Sequence, residues 1–218
     1  AHDLKSPTAS LKSSFEFLIN HKIEDKETIH RFHTLMYDSV SSLYNLMDNL
    51  LMWAKNQQKE MSFEPKVQNL SNIIKDNIAV MQTTAANKEI DIQNHTEDEV
   101  MAAFDKNMIS TVIRNFLSNA IKFTPSRGKV FIQTKESENY VEVSISDSGI
   151  GISQEDMDKI MNSENHYTTT GTNKEKGSGL GISISKRFIE RHGTELMVSS
   201  KKDKGTTFSF KLPMENNF

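Results

Sequence analysis

The sequence contains no cysteine, which excludes a disulfide framework and any metal site built on thiolates and suits a reducing cytoplasm. It also lacks any apolar run that approaches the length of a membrane-spanning helix. Neither sign of charge is in strong excess: the formal net charge is −3 and the pI is about 6.2, so the composition gives no reason to expect nucleic-acid binding. At 218 residues, the chain fits one large domain or two smaller ones.

A signal peptide and an initiating methionine are missing as well, since the chain begins with Ala1. We therefore expect the sequence to be an excised part of a longer protein. On this interpretation the absence of an apolar span carries no information about the parent protein, and we expect no membrane contact by this part.

Glycine is absent from residues 1–60 and Pro7 is the only proline there, so this part of the chain is predicted to be helical. Its second half carries an apolar heptad seam. The seam residues are Ile29, His33, Met36, Val40, Leu43, Met47, Leu50 and Ala54. Two antiparallel helices cannot bury such wide apolar faces alone, so a dimer that forms a four-helix bundle is the economical arrangement. A helical hairpin packed on its own second domain stays open beside it.

The apolar period fades after Lys55 and Pro65 ends the helix, so we predict two domains, residues 1–62 and 63–218. In the second domain strand-like and helix-like periods alternate, which predicts an α+β protein whose mixed sheet is covered on one face by helices, an α/β sandwich. Ser71 and Asp105 are predicted as helix N-caps. The polar residues that follow Ser153 are predicted to form a loop.

Three motifs in the second domain indicate a nucleotide pocket. Asp147 ends an alternating strand and is followed by Gly149 and Gly151, so a carboxylate and a close-lying backbone come together. A carboxylate in that position can accept a hydrogen bond from an exocyclic amine. Taken alone, this motif is equally well explained by an ordinary turn. The other two motifs are Asn115-Phe-Leu-Ser-Asn119-Ala-Ile-Lys122-Phe123 and Gly177-Ser-Gly179-Leu180-Gly181.

In this order, the three motifs resemble the N, G1 and G2 boxes of the histidine-kinase, gyrase and chaperone ATPase superfamily. Together with His2-Asp-Leu-Lys-Ser-Pro7, they make nearly the whole chain resemble the transmitter region of a bacterial sensor histidine kinase. The resemblance implies ATP and Mg²⁺ as cofactors. It also implies autophosphorylation of His2, followed by transfer of the phosphoryl group to an aspartate of a response regulator.

The resemblance assigns the metal and phosphate side of the pocket to one helix. Asn115 and Asn119 are four residues apart and share a helical face, and the resemblance makes them the Mg²⁺ ligands. Lys122 lies near that face and meets the phosphates as a point charge. Residues 163–178 form a long polar stretch, which we expect to be a lid over the triphosphate.

On the adenine side, the resemblance implies that Phe123 flanks the base and that Asp147 accepts a hydrogen bond from the adenine amine. This hydrogen bond would favour ATP over GTP. Glycine turns, a leucine and a threonine are expected to complete the pocket. These residues are Gly149, Gly151, Gly177, Gly179, Leu180, Gly181 and Thr207.

The first residues carry the predicted phosphoacceptor. An imidazole can attack with one nitrogen while the other keeps its proton, and the neighbouring Asp3 carboxylate can hold that second N–H. Pro7 removes a helical hydrogen bond and is expected to bend the helix one turn beyond His2. Ser6 stands where the family usually has threonine or asparagine for a phosphatase step, so that activity stays open.

Two alternatives stay open beside this interpretation: a clamp ATPase of the same superfamily, or a non-catalytic nucleotide-binding scaffold for dimerisation and docking. The hairpin with its phosphoacceptor box argues against the first, and the intact N, G1 and G2 boxes argue against the second. The expected partners are a second copy of the chain, through the hairpin, and a response-regulator receiver domain. We expect no nucleic-acid partner and a location on the cytoplasmic side of a bacterial inner membrane, as part of a membrane-anchored sensor.

Overall fold

A computed structural model describes residues 2–21, 25–57, 62–162, 169–173, 175 and 179–215. The chain divides into two compact units, Ala1–Met61 and Ser62–Phe218, which we call the helical unit and the sheet unit. The division falls one residue before the domain boundary expected from the sequence.

The helical unit consists of α1 (His2–Asn20) and α2 (Lys26–Gln57). The rings of Phe17 and Phe32 stack with their centroids 4.8 Å apart, and the hydroxyls of Ser10 and Ser39 are 3.5 Å apart. Because the later residue of α1 meets the earlier residue of α2, the two helices run in opposite directions.

An aspartate just before α2 caps its first turn. The Asp25 carboxylate accepts hydrogen bonds from the backbone N of Thr28 at 2.9 Å and of Glu27 at 3.3 Å. The Thr28 hydroxyl also donates to it. These hydrogen bonds, led by the one from the hydroxyl, lower the pKa of Asp25 because they favour the charged carboxylate.

The sheet unit combines strands and helices in one α+β arrangement. Its strands are β1 (Lys66–Asn69), β2 (Asp91–His95), β3 (Met101–Phe104), β4 (Lys129–Glu136), β5 (Tyr140–Asp147), β6 (Met197–Ser200) and β7 (Thr206–Pro213). Its helices are α3 (Leu70–Asn87), α4 (Lys106–Phe123), α5 (Gln154–Asn162) and α6 (Gly181–Arg191). None of the helices described in either unit is long and apolar enough to cross a lipid bilayer.

Five of the strands form one sheet in the order β2-β4-β5-β7-β6, and β1 pairs separately with β3. The β2–β4 pair is parallel and the other pairs of the large sheet are antiparallel, so the sheet is mixed. The predicted α+β class with a mixed sheet is confirmed.

The core lies on one face of this sheet, because alternate residues of the central strands are buried. On β7, for example, Phe208 and Phe210 are buried while the residues between and beside them are half-exposed. Helix α4 packs against β4 and β5 and also contacts α3 and α6. Its fully buried Phe116 ring stacks on Phe208 with a centroid distance of 4.8 Å.

One of the two predicted N-caps is confirmed and the other is wrong. Asp105 caps α4, because its Oδ1 accepts from the backbone N of Asn107 at 3.0 Å and of Met108 at 3.1 Å. Helix α3 instead begins one residue before Ser71, and Asn69 is its cap. The buried Ser71 hydroxyl is engaged elsewhere, since it donates to a backbone carbonyl on the segment before β3.

The predicted loop after Ser153 is also wrong, because residues 154–162 form helix α5. Ser153 and Asp156 form a reciprocal cap: the Asp156 backbone N donates to the Ser153 hydroxyl, which in turn donates to the Asp156 carboxylate at 2.7 Å. Lys159 and Glu155 add an ion pair at 2.7 Å one turn apart. The serine followed three residues later by an acid was a readable sequence signal for this helix.

Candidate functional site

Asp147 lies at the end of β5 with one carboxylate oxygen held and the other available. Its Oδ1 accepts hydrogen bonds from the backbone N of Gly149 at 2.8 Å and of Thr206 at 3.2 Å. Among the described residues, Oδ2 has no hydrogen-bond partner. Burial raises the pKa of Asp147 to about 6, and the two backbone hydrogen bonds oppose this rise only in part. The carboxyl group is therefore held in a fixed position and poorly solvated.

The glycines that follow Asp147 allow the chain there to lie close to the end of α4 and to the turn between β6 and β7. A Cβ atom on Gly149 would meet the Phe123 carbonyl oxygen, and one on Gly151 would meet the Lys201 carbonyl oxygen. Gly151 also has a φ of +64°, which disfavours other residues. The backbone of Phe123 and of Lys201 therefore lies where side chains of these two residues would begin. The two glycines position the chain beside Asp147 and do not themselves leave open space for a ligand.

Thr207, which was predicted as a site residue, and its neighbour Thr206 have different contacts. The hydroxyl of Thr207 is 2.8 Å from that of Ser146 on β5. The residue that touches Asp147 is Thr206, whose hydroxyl is 2.9 Å from that of Ser200. Thr206 and Ser200 were not predicted as site residues, because their position depends on the register between β6 and β7.

Asn115 is oriented by two hydrogen bonds to α6. Its side-chain Nδ2 donates to the carbonyl oxygen of Gly181 and to the hydroxyl of Ser185, both at 3.1 Å. Its Oδ1 has no partner among the described residues. A half-buried amide whose N–H groups are both used presents only its oxygen, and a neutral oxygen is a suitable ligand for Mg²⁺. Asn119, one turn further along, is also half-buried and has no described side-chain hydrogen bond.

Lys122 and Phe123 are half-buried at the end of the same helix. The Lys122 ammonium donates to the carbonyl oxygen of Thr169 at 2.9 Å and lies 4.7 Å from the centroid of the Phe123 ring. Burial lowers the pKa of Lys122; the nearby Glu175 carboxylate opposes this effect and the Lys88 ammonium adds to it.

The third motif leads into α6. Gly179 has a φ of +70°, Leu180 is buried, and Gly181 begins the helix. Among the described residues, no side chain caps the N-terminus of α6, and the N–H groups at a helix N-terminus are in general suited to an anion. Gly177 lies outside the described residues, as do most residues of the predicted lid.

Several of the predicted residues are joined by direct contacts. Asn115 bonds to Gly181, which links the first motif to the third. The carbonyl oxygen of Phe123 accepts from the backbone N of Ile150 at 3.1 Å, which links the first motif to the turn after Asp147. The three motifs are therefore neighbours in the sheet unit.

The predicted phosphoacceptor residues belong to the helical unit. The backbones of His2, Asp3 and Ser6 lie in the first two turns of α1. Their side chains lie outside the described part of the structure, so their predicted roles stay predictions.

Two charged residues near Lys122 were not predicted from the sequence. Lys88, directly after α3, and Glu175, near the third motif, form an ion pair at 2.7 Å. They are 87 residues apart in the chain and no local pattern connects them.

Comparison with known proteins identifies relatives over all of these elements. Residues 104–216 match the family of histidine kinase-, DNA gyrase B-, and HSP90-like ATPases. The chain is 28% identical over 215 residues to the sensor histidine kinase WalK of Bacillus subtilis, which covers 98% of this chain and 35% of WalK. The resemblance to sensor histidine kinases expected from the sequence is thereby confirmed.

Two solved structures share the fold. Histidine kinase AdeS of Acinetobacter baumannii has a TM-score of 0.75 at 18% identity, over 99% of both chains. Histidine kinase ThkA, solved in complex with the response regulator protein TrrA, has a TM-score of 0.73 at 22% identity, over 98% of this chain and 59% of that chain. The chain spans 24% to 56% of the length of curated relatives that it matches.

Proposed function

Because the chain belongs to the family of histidine kinase-, DNA gyrase B- and HSP90-like ATPases, we propose that it is the catalytic core of a sensor histidine kinase. It would bind Mg²⁺–ATP in the sheet unit, phosphorylate His2 and pass the phosphoryl group to an aspartate of a response regulator. The observation that carries the proposal is that Asp147 Oδ2 and Asn115 Oδ1 both lack a hydrogen-bond partner among the described residues. Both are available acceptors, and the remaining polar atoms of each side chain are held by the protein.

Asp147 is the adenine-recognition residue in this proposal. A carboxylate oxygen without a protein partner accepts the hydrogen bond that the exocyclic amine of adenine donates. Guanine carries a carbonyl oxygen at the corresponding ring position, and two acceptors facing each other repel. Selection of ATP follows from this difference, and Phe123 contributes an aromatic face beside the base.

The other end of the pocket is proposed to hold the phosphates and the metal. Asn115 Oδ1 and Asn119 would supply protein ligands to Mg²⁺, which neutralises charge on the phosphate oxygens. Lys122 and the N-terminus of α6, which begins at Gly181, add positive electrostatic potential. Little covalent chemistry is required of these residues, because positioning and charge stabilisation provide most of the catalysis of phosphoryl transfer.

His2 is the nucleophile in the proposed reaction. One ring nitrogen forms a bond to the γ-phosphorus as the bond from that phosphorus to the bridging oxygen breaks, and ADP leaves with the electron pair. Asp3 would hold the N–H of the other ring nitrogen, so that the attacking nitrogen keeps its lone pair. Ser6 is the candidate residue for positioning water in a reverse, phosphatase step.

The helical unit is proposed to form a homodimer, a four-helix bundle that also docks the response regulator. The support lies in its exposed apolar side chains, among them Phe15 at 50%, Ile19 at 80% and Val40 at 51% exposure. The structurally similar ThkA was solved with a response regulator. Attachment of the parent protein to a bacterial inner membrane, with this part on the cytoplasmic side, completes the proposal.

Incubation with Mg²⁺ and ATP labelled at the γ-phosphate tests the proposal. The wild type should acquire label that is acid-labile and alkali-stable, whereas His2→Gln and Asn115→Ala should acquire none. Exposed residues offer matched controls, His30→Gln on α2 and Asn139→Ala before β5, and both should label normally. Equilibrium binding of ATP should be lost in Asn115→Ala and kept in His2→Gln.

Each other result has a definite meaning. Label that persists in His2→Gln would place the phosphoacceptor elsewhere. ATP binding without any label in the wild type would favour the non-catalytic scaffold, and ATP hydrolysis without label would favour a clamp ATPase. Absence of both label and ATP binding would overturn the nucleotide site.

A further inference from the structure

Lys88 is almost completely buried in the sheet unit, with 6% of its side chain exposed. Each of the three N–H donors of its ammonium has an acceptor. The acceptors are the carbonyl oxygens of Ile121 at 2.8 Å and Lys122 at 2.7 Å, and Glu175 Oε1 at 2.7 Å. The two carbonyls belong to the last turn of α4, where a helix leaves carbonyl groups without a helical partner. Lys88 therefore completes the end of the helix that carries Lys122.

The third acceptor belongs to a short segment between α5 and α6. We call residues 169–173 and Glu175 the anchored segment. Glu175 organises it, because its backbone oxygen accepts from Gly171 N at 2.9 Å and its Oε2 accepts from Asn173 N at 2.7 Å. The same carboxylate thus binds Lys88 with one oxygen and its own segment with the other.

The anchored segment is also tied directly to Lys122. The backbone N of Thr172 donates to the Lys122 carbonyl oxygen at 3.1 Å, and the Thr172 hydroxyl lies 3.1 Å from that oxygen. In the opposite direction, the Lys122 ammonium donates to the Thr169 carbonyl oxygen at 2.9 Å. Gly171 is buried here, and a Cβ atom on it would collide with the Lys122 side chain at 2.6 Å. The position of Lys122 therefore depends on where the anchored segment lies.

Electrostatics supports the pairing. Burial by itself raises the pKa of Glu175, but the hydrogen bond from Lys88 and those from backbone N–H groups outweigh it, so the pKa of Glu175 is lowered. Glu175 is then ionised at neutral pH. All three donors of the buried Lys88 ammonium have an acceptor, and one of these acceptors is a carboxylate. Removal of one member of the ion pair would leave the other without its counter-charge, which is destabilising for a buried group.

We propose that Lys88 and Glu175 are positioning residues of the nucleotide site: their ion pair fixes the anchored segment on the last turn of α4 and so sets where Lys122 presents its ammonium to the phosphates. This inference rests on the proposed nucleotide-binding role of the sheet unit. Neither residue touches the nucleotide, and both act through Lys122. Their loss affects the phosphate end of the ligand and spares the adenine end, which Asp147 holds.

Amide hydrogen exchange tests the anchor without nucleotide. The variants are Lys88→Met, Glu175→Gln and the two combined, and Glu175→Gln keeps the shape of the side chain. Exchange at Gly171, Thr172 and Asn173 should accelerate about tenfold or more in each. The matched control is Lys75→Met with Asp98→Asn, which removes an exposed ion pair of 3.0 Å from the same unit and should change none of the three amides. Unchanged exchange in Glu175→Gln would overturn the anchor.

Binding of ATP and of adenosine, measured for the same proteins, tests the positioning role. Each variant should weaken ATP binding about tenfold, the size typical for loss of a supporting partner, and change adenosine binding less than about twofold. The double variant should lose no more than the larger single loss, because both residues act through one contact.

The outcomes separate the two proposals. Wild-type protein that does not bind ATP would overturn the proposed function and the positioning role with it. Wild-type protein that binds ATP, with variants that keep the same ratio of ATP to adenosine affinity, would overturn the positioning role alone. Equal weakening of ATP and adenosine would likewise overturn it, because it would indicate general damage to the unit.

Discussion

The two units of the chain place their apolar side chains in opposite environments. In the sheet unit, five of the described phenylalanines are buried: Phe104, Phe116, Phe188, Phe208 and Phe210. In the helical unit, no apolar side chain among those described is buried, and Ile19 and Tyr37 are 80% and 73% exposed. The buried side chains described there are two serines, Ser14 and Ser39.

This difference separates what each unit can do alone. The sheet unit has its own core and can therefore hold a poorly solvated carboxylate such as Asp147 in a fixed place. Helices gain most of their stability from packing an apolar face, and several of the apolar side chains described in α1 and α2 are largely exposed. The proposed dimer would cover them, and the stability of the helical unit would then depend on protein concentration.

The largest expected effect comes from the core. Phe116→Ala should lower the free energy of unfolding of the sheet unit by about 3–5 kcal/mol at every protein concentration, because it removes a fully buried ring and leaves a cavity. The matched change in the helical unit, Phe15→Ala, removes a half-exposed ring. It should leave the stability of the sheet unit unchanged. The helical unit should unfold more easily when the protein is diluted, because the proposed dimer is weakened.

The two units can be followed separately, because the single tryptophan, Trp53, belongs to the helical unit. Its fluorescence reports on that unit, and hydrogen exchange of the β5 and β7 amides reports on the other. A helical unit whose unfolding is independent of concentration would remove the main difference between the units.

A smaller effect, with opposite signs for stability and binding, is expected from Asp147→Asn. Asparagine avoids burial of a charge, so at pH 7 the variant should be more stable than the wild type by about 1–2 kcal/mol. It should bind ATP more weakly, because an amide group replaces the carboxylate acceptor. Thermal unfolding and equilibrium binding measure the two effects.

The pH dependence of this difference follows from the pKa of Asp147, raised to about 6 from its ordinary value of 3.8. The folded protein binds this proton more tightly than the unfolded chain, so the ionised carboxylate is destabilising above about pH 6. This penalty decreases as the pH falls from about 6 toward 3.8, and the two proteins should then become equally stable. A stability difference that is constant between pH 7 and pH 4 would contradict the assignment.

The smallest expected effect concerns helix caps. Asn69→Ala removes the hydrogen bond of 3.2 Å to Asn72 N at the start of α3 and should cost the sheet unit about 1 kcal/mol. Asn72→Ala is the matched control: Asn72 is exposed within the helix, and its replacement should be neutral or slightly stabilising. Equal losses in both variants would rule out capping as the cause.

Asp25→Ala, at the start of α2, should affect only the unfolding transition of the helical unit, which Trp53 fluorescence follows.

Local signals predicted much of the architecture. The capping role of Asp105 depends on backbone atoms two and three residues away, which is why the sequence sufficed there. Asn69 and Ser71 are both suitable caps, and packing decided between them, since the Ser71 hydroxyl is bound to the segment before β3. Helix α5 was missed because a strongly polar stretch was interpreted as a loop, although Ser153 and Asp156 carried a capping signal.

The sequence by itself determined the order of the three motifs, the alternation of strands and helices, and the residue types available to the site. Only the tertiary structure decided which atoms remain free to act. Ser185, 70 residues away, orients the Asn115 amide, Thr206 holds one oxygen of Asp147, and Lys88 meets Glu175 across 87 residues. Such contacts depend on strand register and helix packing, and no local period in the sequence encodes which distant polar groups will meet.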